Sequence, residues 1–296
     1  MVTAVPPRLR VGVIGSGRVG AVLGAALRRV GHHLIGVSAR TDLSRVRAEA
    51  LLPGVPIRPM DEIVVDCDLL LLTVSDDALP GVVAQVAESV HAGQYVAHTA
   101  GRYGIGVLEP AAQAGAIPLA LHPAMTFTGT SLDLGRLEDC PFAVTAPELA
   151  LPVAEALVIE MGGDPIVVGE ESRLVYHAAL AHGANHLVTL VAQTRELLGL
   201  AGVAEPERLV APLLRAALDN ALREGDAALT GPIARGDAGT LAEHLEDLGE
   251  VAPEIAETYR VLARSTAQRA HDAGTLDEQQ RDRLLAVLDA DGQGRA

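Results

Sequence analysis

Few groups in this 296-residue chain can move a proton near neutral pH, and the best placed are histidines. All 23 basic residues are arginine, so no lysine is present to act as a general acid or form a Schiff base. His122 closes an apolar run over residues 116–121 and precedes Pro123. His177 lies within residues 174–194, a stretch that holds no Asp, Glu or Arg but carries Tyr176, His182, Asn185, His186, Thr189 and Gln193. At about 100° per residue, Asn185, Thr189, His182, Gln193 and His186 share one face of a helix. Such a stripe can present an imidazole and an amide to a substrate. It fits equally a set of hydrogen-bonded groups buried at a domain junction or a partner subunit. His182 and His186 are also placed to share a metal, but the stretch lacks the Glu of the zinc-protease pattern, so no metal is expected. Arg235, between Gly-Pro and Gly-Asp, is a candidate for holding a substrate carboxylate, or a surface residue beside a turn in which Asp237 caps the next helix.

A second chemistry is written nearer the start. Residues 11–14 form a short β-branched run that passes into Gly15, Ser16, Gly17, Arg18, Val19 and Gly20, and then at once into residues 21–27. Strand, tight turn and helix in that order are what the dinucleotide fingerprint G-x-G-x-x-G requires. Gly15 permits the turn, Gly17 admits a pyrophosphate, and Gly20 lets helix pack on strand. The second strand, residues 33–40, ends without the acidic residue that would bind a ribose hydroxyl. Ser38, Arg40 and Thr41 stand there instead, a cation flanked by hydroxyls that suits a 2′-phosphate and favours NADP(H). Arg40 could otherwise simply open a loop, with Asp42 as a displaced ribose ligand.

These groups need a scaffold, and the chain contains one. Residues 68–74, 94–98 and 116–121 read as further buried strands, the first followed by a helix started at Asp76 or Asp77. Ligands of open α/β sheets bind at the carboxyl ends of the strands. Thr73, Val74, Ser75, Thr99, Gly101 and His122 are therefore expected along one crevice. Strands at 141–145 and 165–168 flank a helix over about 148–161. After that only helical patterns follow, so the division is expected as a dinucleotide-binding domain over 1–169 and an all-helical domain over 170–296, with 291–296 as a frayed tail.

Composition narrows the classes further. A chain 49% hydrophobic and 21% charged can fill real cores. A net charge of −15 speaks against nucleic acid. Two cysteines, Cys67 and Cys140, suggest neither a disulfide framework nor a zinc site. Residues 1–9 show no apolar signal-peptide core, and the polar residues of 174–194 argue against a membrane span, so a cytoplasmic protein is expected.

Several stretches taken together resemble a known family. They are the Gly15–Gly20 fingerprint, Thr73-Val74-Ser75-Asp76-Asp77, His98-Thr99-Ala100-Gly101, His122-Pro123 with Phe127, Tyr176-His177-Ala178-Ala179 with Asn185, and Thr230-Gly231-Pro232 through Arg235-Gly236-Asp237. Their order resembles the bacterial family that joins a Rossmann-like NADP-binding domain to an all-helical C-terminal domain of long-unassigned function. That family is similar in architecture to pyrroline-5-carboxylate reductase, ketopantoate reductase and the 3-hydroxyacid dehydrogenases. The resemblance implies a doubly wound parallel sheet followed by helices, NADPH-dependent reduction of a small C=O or C=N bond, and a homodimer formed through the helical domain. Ketopantoate reductase and the 3-hydroxyacid dehydrogenases place a lysine one helical turn before an asparagine. Asn185 matches the asparagine, but the lysine position holds Ala181. The proton donor would then be His177 or His182, or His122, with Asn185 orienting the substrate and Arg235 clamping it. An imine reductase and a non-catalytic NADP-binding sensor or scaffold remain alternatives to a ketopantoate-like 2-oxo acid reductase.

Overall fold

A computed structural model describes residues 8–290. The tail expected over 291–296 and most of the stretch 1–9 lie outside those residues. The chain divides into two compact units, Met1–Gly183 and Ala184–Ala296.

The first unit begins β1 (Arg10–Ile14), α1 (Arg18–Arg29), β2 (His33–Ser38), α2 (Asp42–Leu51), α3 (Met60–Asp66) and β3 (Leu69–Leu72). It continues with α4 (Leu79–Val86), β4 (Tyr95–His98), α5 (Glu109–Gln113), β5 (Ile117–Pro123), α6 (Leu132–Arg136), β6 (Pro141–Thr145), α7 (Leu151–Glu160), β7 (Asp164–Val167) and α8 (Arg173–Leu180). The seven strands lie in the order β2-β1-β3-β4-β5-β6-β7. Side chains alternate across the sheet with period two. Val11, Val13, Leu69, Leu71, Leu119 and Leu121 join the core under α1, α2 and α7. Ile14, Leu70, Leu72 and Val96 join the opposite core with Ile63, Val83 and Leu108.

Every expected strand is present, but the sheet is not wholly parallel. β5 pairs antiparallel with β6, while β6 and β7 run parallel to each other. A parallel return needs a crossover of about a dozen residues or more, usually a helix laid across the sheet. Between β5 and β6 the chain is long enough for one but forms only the five-residue α6 rather than a helix across the sheet, and β6 comes back in the reverse direction. His122 falls within β5 rather than after it. Neither Asp76 nor Asp77 caps α4, which opens at Leu79. Instead the Ser75 carbonyl accepts N–H bonds from Ala78 and Leu79, both at 3.0 Å.

The second unit is helical: α9 (His186–Leu200), α10 (Pro206–Glu224), α11 (Gly231–Ala234), α12 (Ala238–Val251), α13 (Pro253–Asp272) and α14 (Glu278–Ala290). Its core joins Leu241 and Leu245 of α12, Ala263, Ala267 and Ala270 of α13, and Leu284 and Leu288 of α14. Asp237 caps α12 as expected, accepting the Thr240 N–H at 3.0 Å. The helical stripe expected over 174–194 is interrupted by a π-helical turn at Ala181–Asn185, inside which the two units divide. The wider turn shifts the angular register, so residues before and after it do not keep the spacing of an unbroken α-helix. Nor is α9 buried: none of its residues is, and Leu187, Val188 and Leu190 are exposed. Among the described residues, no helix is long and apolar enough to cross a membrane.

Candidate functional site

The order of β2, β1 and β3 places a crossover reversal between β1 and β3, the position at which α/β sheets bind ligands. There the glycine turn closes on Thr73. Gly15 has φ +99°, a left-handed conformation that costs a glycine little. The Thr73 hydroxyl donates to the Gly15 carbonyl at 2.5 Å, and the Thr73 N–H donates to the Ile14 carbonyl at 2.9 Å. A Cβ at Gly20 would overlap the Gly15 carbonyl oxygen and the Thr73 hydroxyl, whereas one at Gly17 would meet nothing within 4 Å. The turn is therefore tight below and open above. No side chain caps α1, so its first amides remain available to a pyrophosphate. Arg18 and Val19 open this helix, with Arg18 exposed.

The hydroxyls beside Arg40 are engaged within the protein. The Ser38 hydroxyl accepts the Gly15 N–H at 3.0 Å. Thr41 forms a capping box with Ser44 at the start of α2, with bonds of 3.2 and 3.0 Å. Ser16 is fully buried, and its hydroxyl donates to the carbonyls of Ser38 at 3.2 Å and Ser44 at 3.1 Å. These three residues brace the β1–α1 turn against the β2–α2 turn. Arg40 stays exposed at the end of β2. Arg18 and Arg47 approach each other across Gly129, whose added Cβ would stand 3.1 Å from Arg18 Cγ and 2.9 Å from Arg47 Nε.

A second cluster occupies the ends of β4 and β5. Thr99 follows β4, its N–H on the Leu72 carbonyl at 3.3 Å. His98 is buried, donates from Nε2 to the Gly104 carbonyl at 2.8 Å and accepts the Ala100 N–H at Nδ1 at 3.2 Å. Burial, ahead of smaller influences, pulls its pKa down to about 4, so it is a neutral ring with a structural task. The Nδ1 of His122 meets the Tyr176 hydroxyl at 2.8 Å. His177 stands edge-on to His122, ring centres 6.3 Å apart. Gly101 fits between the two imidazoles: a Cβ there would lie 2.7 Å from His177 Cδ2 and 2.8 Å from His122 Nε2. Burial first, then the charge of Arg173 and the neighbouring histidines, lowers the His122 pKa to about 4. That departs from the expectation of an ordinary imidazole with both forms accessible near neutrality, because His122 is neutral there.

Arg173 is the residue that sequence reasoning missed. Standing where the strands give way to helices, it reads as a surface cation, yet it is 1% exposed. Its Nε donates to Thr145 Oγ1 at 2.8 Å, and Nη2 donates to the carbonyls of Ala120 and Ala143, both at 3.1 Å. Nη1 has no partner. The spacing of 173, 176 and 177 puts all three on one helical face, a signal that could have grouped them. Glu170, also unforeseen, takes the N–H groups of Ile105 at 2.6 Å and Gly106 at 2.9 Å, fixing the turn beyond Gly104. Asn185 and Arg235 belong to the second unit, and both are exposed. Among the described residues no group of histidine, cysteine and carboxylate side chains could hold a metal.

Fold and site together define a Rossmann-like α/β domain followed by a helical domain. Residues 2–123 match the Rossmann-like domain model. Residues 140–266 match DUF2520, a domain of unknown function, so the two matches follow one another along the chain. No curated protein sequence matches it. Among solved structures it is similar to a Bacteroides fragilis protein provisionally described as an NADP oxidoreductase, with TM-score 0.74, 21% identity, and 88% of this chain and 98% of that one covered. It is also similar to the Plasmodium falciparum pyrroline carboxylate reductase with NADP bound, at TM-score 0.57, 12% identity and coverage of 93% and 98%. An imine reductase from Pseudomonas sp. aligns at TM-score 0.57, 17% identity and coverage of 97% and 95%. At these identities the likeness is one of fold.

Proposed function

We propose that this protein is an NADPH-dependent oxidoreductase that reduces a small 2-oxo acid of the ketopantoate type. The observation that carries the reading is the pairing of two sites at the same end of the strands: the glycine turn after β1, closed on Thr73, and the His122, Tyr176 and His177 cluster at β5, three strands along. Gly15, Ser16, Gly17, Arg18, Val19 and Gly20 would hold the pyrophosphate. Thr73, Val74, Ser75, Thr99 and Gly101 would line the path along the strand ends. Arg40, braced by Ser38 and Thr41, would take the 2′-phosphate. The open space above Gly17, the uncapped start of α1 and the exposed guanidinium groups of Arg18 and Arg40 fit such a ligand. When bound, NADPH supplies a hydride. The chain's own task is to orient the acceptor and provide a proton, from the side of His177 and His122, with Asn185 and Arg235 of the helical domain orienting the substrate and holding its carboxylate.

The functional division falls at 169/170, after the last strand, and the protein works as a cytoplasmic homodimer. Support for the dimer comes from α9 and α10, which leave Leu187, Val188, Leu190, Leu209, Leu213 and Leu222 exposed. A row of large apolar side chains on neighbouring helices is a surface for a second copy.

The imine-reducing alternative is supported by the likeness to the Plasmodium and Pseudomonas reductases. Purified protein is offered NADPH with ketopantoate or with pyrroline-5-carboxylate, and NADPH consumption is followed. Faster turnover of ketopantoate is expected, and the reverse order selects the imine reading. NADPH binding without turnover of either compound or their homologues would overturn the enzyme assignment.

A further inference from the structure

Arg173 carries a full charge in a place where charge is costly. It is buried, its Nη1 lacks a partner, and among the described residues no carboxylate lies within ion-pair distance of it, the charge of Glu170 acting on it only from further away. Two carbonyls and a hydroxyl do not neutralise a guanidinium, and an unpaired charge in a protein interior is destabilising. Its guanidinium carbon stands 5.9 Å from the centre of the Tyr176 ring. The Tyr176 hydroxyl lies 2.8 Å from His122 Nδ1. Tyr176 thus stands near both a buried cation and a neutral imidazole.

We propose that Tyr176 is the side chain that gives the proton to the substrate, that Arg173 is the positioning residue whose charge balances the phenolate left behind, and that His122 restores the proton. The proposal rests on the reductase reading and adds to it the identity of the donor. A neutral His122 carrying its proton on Nδ1 donates to the phenol oxygen and leaves the phenol O–H free to point elsewhere. As a carbonyl accepts hydride from the reduced nicotinamide, its oxygen takes the Tyr176 proton. The phenol O–H bond breaks, an alcohol O–H bond forms, and the negative charge remains facing Arg173. His122 then passes its Nδ1 proton to the phenolate while Nε2 takes one from water. An alkoxide is a far stronger base than a phenolate, so the transfer runs downhill with a phenol that stays protonated at neutral pH. Burial keeps it so, raising the Tyr176 pKa above the usual value while the Arg173 charge pulls the other way.

The test needs neither substrate nor cofactor for its first arm. The chain holds four tyrosines, and ultraviolet difference titration of the free protein reports tyrosinate formation. The Tyr176 component is the difference between the parent protein and Tyr176→Phe. In Arg173→Met that component is expected to titrate higher by about one pH unit or more. Arg173→Gln, which also removes the charge, should show the same upward shift and serves if Arg173→Met fails to fold, while Arg173→Lys, which keeps a charge, should titrate close to the parent. A Tyr176 titration unchanged in the neutral variants overturns the electrostatic role. In the second arm, Tyr176→Phe should lower kcat roughly 100-fold while NADPH affinity stays unchanged. Full kcat in that variant overturns the donor assignment. A protein without turnover would sink the reductase reading alone, since the titration decides the Arg173–Tyr176 pairing by itself.

Discussion

The two ends of the crevice are built on opposite terms. At the glycine turn, Ser16, Ser38 and Thr41 spend their hydroxyls on the backbone and on one another, and the guanidinium groups of Arg18 and Arg40 stay at the surface. At the ends of β4 and β5 the cation is inside, one of its N–H groups is unpaired, and two histidines are held neutral. The first arrangement is stable in itself and waits for an anion with free charges at its rim. The second stores electrostatic stress in the fold, as sites that change charge during a reaction often do.

Three measurements would break or sharpen that contrast. The largest effect is expected from Gly20→Ala, whose methyl group would overlap the Gly15 carbonyl and the Thr73 hydroxyl. Affinity for NADPH, followed by its fluorescence, should fall roughly 100-fold, about 3 kcal/mol. Retained affinity would mean that the turn is looser than its hydrogen bonds imply.

A smaller effect should come from acid. His98 and His122 have folded pKa values of about 4 against 6.5 for a free imidazole. Their depressed values mean that the unfolded chain binds protons first as pH falls. Stability from keeping them neutral is therefore complete above about 6.5 and lost on the way down to 4, by a few kcal/mol. The melting temperature should drop across that window, and in His98→Gln it should drop less. Equal slopes in the two proteins would remove the claim of stored stress at the β4 end.

The smallest effects separate Arg40 from its neighbour. Arg40→Ser should cut the preference for NADPH over NADH by roughly 10- to 100-fold with little change in stability. Thr41→Ala should cost about 1 kcal/mol through its lost cap and leave that preference intact. A loss of preference in Thr41→Ala would show that its hydroxyl reaches the ligand after all.

Legibility in the sequence follows the distance over which residues cooperate. Gly15, Gly17 and Gly20 act within one turn, so their spacing alone announces strand, turn and helix. The strands at 69–72 and 95–98 were readable because burial on both faces makes a continuous apolar run. The reversal at β6 was not, since composition is silent about strand direction and the connection over residues 124–140 is long enough for either direction. His122 and Tyr176 are 54 residues apart, and no local pattern says that they touch. Arg173 was hidden for a simpler reason: a charged residue at a boundary between elements is ordinarily solvated. The π turn at Ala181–Asn185 was invisible to angular arithmetic that assumed one pitch throughout.

The seam between β5 and β6 has a consequence for how the chain is made. The carbonyls of Ala120 and Ala143 are both bound by a guanidinium that lies 53 and 30 residues further along. On a ribosome those strands leave the exit tunnel before the group that ties them together does. The sheet thus has a late-arriving fastener, and a nascent chain stopped at residue 169 carries the strands but not the clasp. Completion of the first unit belongs to the moment when the opening turn of α8 leaves the exit tunnel.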